Sequence, residues 1–376
     1  MSGPAERAGD PFRRSEGQPA DAARSTVGAR IPGLDLARAL AILGMLAVHV
    51  GPTDADGLAG TLYAAPHGRA AILFGLVAGV GVSLLAASRS TSRAQARLRL
   101  LWRAAILLPL GLWLQELDHN VFVILQDYAV LFVVAVGLLG VADRWLLALA
   151  ATSASLGSLG YLWGRVADPD GFARQPVVWG EPLGEVLHRL VLSGPYPLLT
   201  WLAPFILGMW LGRRDLRSPL LWWRLGLVGG SVAVGARLLA TVLQGWWGVP
   251  MEPLGWDHVL VDDPHSQMPL WVVGSTGSAV FALGLSLVVA DGWRRATWPL
   301  VAVGQLAFTV YVGHLLALHA WRDELTSEAV GGAVGLVLAF TAVAAILAVA
   351  WRAVLPRGPL ETVLHLPWLG RRSAAS

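Results

Sequence analysis

Residues 33–49 read Gly-Leu-Asp-Leu-Ala-Arg-Ala-Leu-Ala-Ile-Leu-Gly-Met-Leu-Ala-Val-His, an apolar run in which only Asp35, Arg38 and His49 can ionise. A run of this length can cross the hydrocarbon core of a bilayer as a helix. Ionisable groups inside such a span are costly, so they point to function and call for a named partner. Outward from this run, comparable apolar stretches recur at 68–87, 99–117, 121–142, 144–163, 191–212, 219–246, 269–290, 297–320 and 329–353. The pattern predicts an all-α fold, a polytopic membrane helix bundle of about ten transmembrane helices with both ends on the same side.

The composition agrees. Of 376 residues, 55% are hydrophobic and 14% charged, against about 25% charged in soluble domains, and the mean hydropathy is +0.58. Twenty-eight arginines, no lysine and 25 acids leave a net charge of +3, too weak and scattered for a nucleic-acid surface. The absence of cysteine excludes disulfides, thiolate metal sites and a thiol nucleophile. Eighteen tryptophans against five tyrosines suit an interfacial aromatic belt.

Arginine placement sets the expected orientation, because cytoplasmic loops retain basic residues. With both ends in the cytosol, twenty arginines fall inside, five outside (Arg69, Arg165, Arg174, Arg189 and Arg322) and three within spans. Residues 1–32 are too poor in apolar side chains to pack and are expected to form a disordered cytoplasmic tail. Residues 33–355 form the membrane domain and 356–376 a cytoplasmic C-terminal tail. The Gly75/Gly79/Ser83 and Gly331/Gly335 stripes are expected to let helices approach closely, and they permit a homodimer. The outer loops are short, so any chemistry must occur among the helices.

Arg38 and His49, eleven residues apart, share one helix face about 16 Å apart along the axis. Asp35, one turn before Arg38, can neutralise it; the plain alternative is a structural ion pair with an interfacial imidazole. His67 opens the second span at the level where the first ends, so the connection 52–66 can bring the two imidazoles together. A neutral imidazole can act as a general base near pH 7. Asp127 in the fourth span can orient a histidine or bind a hydroxyl, or else pair with Arg237 or Arg224. His314 reads more readily as a helix-to-helix hydrogen bond than as a catalytic group. Glu116, Asp118, His119 and Asn120 crowd one outer hairpin, where acceptor contacts are expected, with Arg69 nearby. His258 and His265, with Asp257, Asp262 and Asp263, match no metal template, and no metal is expected.

The Gly33-Leu34-Asp35…Arg38-(ten residues)-His49 pattern resembles the arginine-x10-histidine signature of the bacterial integral-membrane O-acyltransferases. The remaining helices look closer to the YeiB-like and heparan-α-glucosaminide N-acetyltransferase branch of that superfamily. The stretches that carry this are His67-Gly68-Arg69-Ala70-Ala71-Ile72-Leu73-Phe74, Ile124-Leu125-Gln126-Asp127-Tyr128, Tyr196-Pro197-Leu198-Leu199-Thr200-Trp201, Gly304-Gln305-Leu306…Tyr311…His314 and Arg357-Gly358-Pro359-Leu360-Glu361. The likeness implies acyl transfer across a bacterial-type plasma membrane, from cytosolic acetyl-CoA to an outer hydroxyl or amine. It implies an essential histidine at His67 by one branch and at His49 by the other. The lysosomal branch has asparagine at the place of His49, and arginine where this chain has Asp127.

Such a reaction needs a base for the acceptor and a donor for the oxyanion. Direct transfer is favoured over an acyl-enzyme, since no cysteine or activated serine is present. The phosphates of acyl-CoA would meet Arg38 and the run Arg93, Arg97, Arg99 and Arg103, whose plain reading is a topology signal attracted to anionic lipid. The outer segments carry fifteen acids against five arginines. That excess is expected to suit an envelope sugar, glycan or glycolipid, and a cationic amine better than a polyanion. The competing classes are a transporter or lipid flippase with a proton relay, and a sensor with a decayed site.

Overall fold

The computed structural model describes residues 30–251 and 253–365, and among them there is no strand. The chain begins with α1 (Pro32–Val50), a short α2 (Gly57–Tyr63), α3 (Arg69–Ala87), α4 (Arg93–Gln115), α5 (Leu125–Leu138) and α6 (Asp143–Ala167). It continues with α7 (Leu183–Ser193), α8 (Leu198–Leu211), α9 (Pro219–Trp247), α10 (Pro269–Gly292), α11 (Arg294–Gln305), α12 (Ala307–Ala320), α13 (Val330–Val354) and α14 (Pro359–Val363). Proline stands at the first turn of α1, α9 and α10, where its missing N–H costs nothing. A reciprocal Ser92/Gln95 capping box starts α4.

Seven of these helices, α1, α3, α4, α6, α9, α10 and α13, are long and apolar enough to cross a membrane. The count among the described residues reaches nine if the bent pairs α7/α8 (60°) and α11/α12 (73°) each make one span. The expected stretch 121–142 contains only the 14-residue α5, about 21 Å long at 1.5 Å per residue. The α7/α8 bend falls at Gly194-Pro195-Tyr196-Pro197, where two prolines withhold N–H groups and disfavour helix before them. At the α11/α12 bend, Glu361 accepts from the Phe308 and Thr309 amides (2.8 and 3.1 Å) and from the Thr309 hydroxyl (2.6 Å). Those are the donors that a new helix N-terminus leaves free.

α1 starts at Pro32, and the expected C-terminal tail begins with α14 packed back on the bundle. There the Trp102 indole donates to the Val363 carbonyl at 3.0 Å. Residues 1–29 and 366–376 of the expected tails lie outside the described residues.

Helix α1 is central, packing on α3, α10 and α11. Gly79 lies against the Phe205 backbone and Gly208 against that of Leu76, while the Ser83 hydroxyl donates to the Met209 carbonyl at 2.6 Å. Gly79 and Ser83 of the stripe thus join α3 to α8, while Gly75 faces Tyr128 of α5. The 331/335 stripe does not pack: both glycines face open space on α13, whose surface is mostly exposed. Alternation of helix direction gathers the C-terminus of α1, the N-terminus of α3, the α4–α5 hairpin and the loops 168–182, 194–197 and 253–268 at one end of the bundle. The N-termini of α1 and α4 and helix α14 gather at the other.

Candidate functional site

At the first of these ends a cavity of about 360 Å³ has as its polar lining His49, Thr53, His67, His119, Asn120, Arg174, Tyr196, His265, Arg322 and Thr326, large enough for a small polar ligand. His49 comes from the last turn of α1. His67 precedes Gly68, whose left-handed backbone (φ 72°) turns the chain into α3, and a Cβ there would stand 3.1 Å from Trp271. Asn120, His265 and Gln267 also hold positive φ (55°, 59° and 63°), an uncommon and costly conformation for non-glycine residues. The His265 loop is held there by Gln267, whose Oε1 accepts from the Thr200 hydroxyl (2.8 Å) and the Trp201 indole (3.1 Å). Its Nε2 donates to the Pro195 carbonyl at 3.2 Å. The Tyr196 hydroxyl donates to the Phe122 carbonyl at 3.0 Å and ties the α7/α8 bend to the α4–α5 hairpin.

The imidazoles form two contacts. His67 and His265 meet with ring centroids 5.6 Å apart, and His265 sits among Tyr196, Trp201 and Trp271. His49 stacks on His314 at 5.5 Å with the planes 7° apart, and Tyr311 closes on His314 at 5.1 Å. Burial, then the nearby Arg174 and Arg69 guanidiniums, push the His67 imidazole below its usual 6.5. Burial, then Arg174 and His67, pull His265 down to about 3. Both rings are therefore neutral near pH 7. Nδ1 of His49 and Nδ1 of His265 are buried without a hydrogen-bond partner, which is what a site awaiting a polar ligand presents.

Several expected site residues have other work. His119 is buried, its Nε2 bonded to the Leu114 carbonyl (2.8 Å) and its Nδ1 accepting from the Val121 amide (3.1 Å). Its ring lines the cavity, but both nitrogens are spent on its own hairpin, so of the pair Asn120 has its polar group free for an acceptor contact. Asp118 lies at the rim and pairs with Arg322 at 3.3 Å, and Glu116 accepts from the Trp179 amide at 2.9 Å. Arg69 does not line the cavity; it donates to the Ala65 carbonyl at 3.3 Å and lies near Asp262 and Arg237. Arg237 pairs with Asp262 at 2.6 Å rather than with Asp127. Asp127 is buried in the first turn of α5. It does not line the cavity either. His314 is wholly buried, and neither ring nitrogen bonds another helix, so the helix-to-helix hydrogen bond expected of it is replaced by stacking on His49. His258 lies beside Asp257 at 3.3 Å, apart from His265. Among the described residues no group of three or more His, Asp or Glu is placed to hold a metal ion.

At the opposite end Arg38 pairs with Asp35 at 2.6 Å, leaving the other Asp35 carboxylate oxygen without a partner. Arg99 donates to the Thr91 hydroxyl at 3.0 Å. Arg103 lies near Arg38 and Arg99, its Nε buried and unpartnered, while Arg97 is exposed. Arg357 and His365 approach the same group. Cations outnumber acids there, as an anion site requires. Arg38, Ile42, Met45 and His49 follow one another on one α1 stripe. A narrow pocket of about 30 Å³ extends from the histidines to Met45, Ala71, Ile124 and Tyr311. Ile42, wholly buried, fills the stripe between that pocket and Arg38. The expected shared face is present, and an apolar layer divides it.

Arg174, Tyr196, Thr53, Thr326 and Arg322 carry no sequence signal of their own as site residues. His265 stood out only as one histidine of an acid-rich loop that matched no metal template, and it received no role there.

Residues 213–369 match the family model described as a protein of unknown function (DUF418), a family associated with YeiB-like membrane proteins. The match spans α9 to α14 and includes His265, His314 and Arg322, whereas His49 and His67 precede it. No curated protein matches the chain.

Proposed function

We propose that this multi-pass membrane protein is an acyltransferase that moves an acetyl or other acyl group from cytosolic acyl-CoA to a hydroxyl or amine of an extracytoplasmic sugar, glycan or glycolipid. The observation that carries the reading is the convergence of His49, His67 and His265 on one polar cavity, with His49 on the helix that holds Arg38 at the cationic end. Arg38, Arg99 and Arg103 bind the phosphates of the donor. The pantetheine arm follows the α1 stripe once the layer at Ile42 and Met45 parts.

His49 lines both the cavity and the narrow pocket below it, so it stands where an acceptor from one side meets a thioester from the other. We assign it as the general base, with His67 positioned to donate a neutral imidazole N–H to the oxyanion. His49 takes the acceptor proton, the new C–O or C–N bond forms at the thioester carbon, and the C–S bond breaks with its electron pair going to sulfur. The imidazolium then returns the proton to the thiolate, giving acylated acceptor and free coenzyme A.

The test uses purified full-length protein in nanodiscs with acetyl-CoA and an envelope glycan fraction. Free thiol is expected to appear with wild type and not with His49→Ala. An intact thioester in both would reject the reading. The buried His49–His314 stack favours one competitor, a transporter with a proton relay, which would acidify vesicles without cleaving acetyl-CoA.

A further inference from the structure

The outer segments hold more acids than arginines, yet not one of the residues lining the cavity is acidic. The acids are used elsewhere. Asp262 neutralises Arg237, Glu181 pairs with Arg189, Asp257 lies beside His258, and Asp118 meets Arg322 from the rim. Arg174 differs from all these arginines: it faces the cavity beside His67 and His265, its Nε is buried without a hydrogen-bond partner, and no ion pair joins it to a described acid. The local field is therefore positive, opposite to the sum over the outer segments. A cationic amine would meet the unpaired Arg174 charge unfavourably. A guanidinium with unused donors in a half-buried site matches a carboxylate or phosphate, the anions that its planar fork binds bidentately.

We propose that the acceptor carries an anionic group, carboxylate or phosphate, beside its reacting hydroxyl or amine, and that Arg174 binds that group with Arg322 at the cavity mouth. The word acceptor rests on the acyl-transfer reading; the anion site rests on the cavity alone. Thr53, Asn120 and Thr326 supply hydrogen-bonding groups for the hydroxyls of a sugar or polyol.

Binding is measured by calorimetry on full-length protein in phosphatidylcholine nanodiscs, with glucuronate, glucose 6-phosphate, glucose and glucosamine as probes. Glucuronate or glucose 6-phosphate is expected to bind about tenfold or more tighter than glucose, since hydrogen bonds to charged groups are the strong ones. Arg174→Gln should erase the difference, Arg174→Lys should keep part of it, and Arg189→Gln, whose guanidinium pairs with Glu181 outside the cavity lining, should leave it intact. Repetition in discs containing phosphatidylglycerol identifies the source of the anion: competition that vanishes in Arg174→Gln assigns the site to a lipid headgroup phosphate, and lack of competition assigns it to a soluble sugar anion. Equal binding of glucose or glucosamine, a preference that survives Arg174→Gln, or no binding of either anion would overturn the proposal. Anion preference without thiol release would sink the acyltransferase reading alone. Equal acylation of glucose and glucuronate would sink the anion site alone.

Discussion

The two ends of α1 make their sites in opposite ways. At one end, loops in costly backbone conformations hold neutral imidazoles around an open cavity, and buried nitrogens of His49 and His265 stand without partners. At the other, cations are packed close, Arg38 neutralised by Asp35 and Arg99 donating to the Thr91 hydroxyl, with α14 folded over them. The first arrangement suits proton transfer at a reacting atom; the second suits holding a polyanion. Ile42 and Met45 separate the two, so the account requires both ends and a layer that opens between them.

The largest effect expected is from His49→Ala, a loss of about 10²- to 10⁴-fold in acyl transfer, the usual contribution of a general base, measured as thiol release. His67→Ala should cost less. Equal losses would move the base to His67, and no loss at His49 would break the assignment. Next, Ile42→Trp should block the layer and lower transfer at least tenfold while acetyl-CoA binding is retained, with the fall in melting temperature that overpacking a wholly buried site brings. Unchanged transfer would place the donor route elsewhere.

A smaller effect is expected from Arg103→Gln, which should raise the KM for acetyl-CoA several-fold with kcat little changed, the mark of uniform binding. A fall in kcat at constant KM would remove Arg103 from the donor site. The smallest is a pH effect on the anion site. His67 is held below 6.5 and faces Arg174, Arg69 and His265. As the pH falls through that lowered value the ring gains a proton and a positive charge, so glucuronate binding should tighten on acidification, and His67→Gln should flatten the profile. Weaker binding at low pH would contradict the placement of the charge.

The sequence made the α1 stripe legible because spacing along a helix fixes which residues share a face: Arg38 and His49 had to align once the run was helical. It also showed that 52–66 could return His67 to His49. Partners recruited over long separations were not legible. Arg174 and Tyr196 enter the cavity through loops whose course depends on Gln267 reaching Thr200 and Trp201, contacts that no local pattern encodes. Nor could a charge sum anticipate the cavity's sign, because Asp262 and Glu181 are consumed by Arg237 and Arg189. His119 had the right chemistry in the right hairpin and still lost both nitrogens to its own backbone. The Gly79 stripe found a partner helix and the Gly331 stripe did not, although the two read alike.

The most direct test of the claim that both ends serve one reaction separates donor from acceptor across a bilayer. Protein oriented in proteoliposomes is given acetyl-CoA on the Arg38 side and an envelope glycan fraction on the His49 side, then the reverse. The account predicts acylated glycan and free coenzyme A in the first arrangement alone; transfer only when both substrates share a side, or an intact thioester in both, would contradict it.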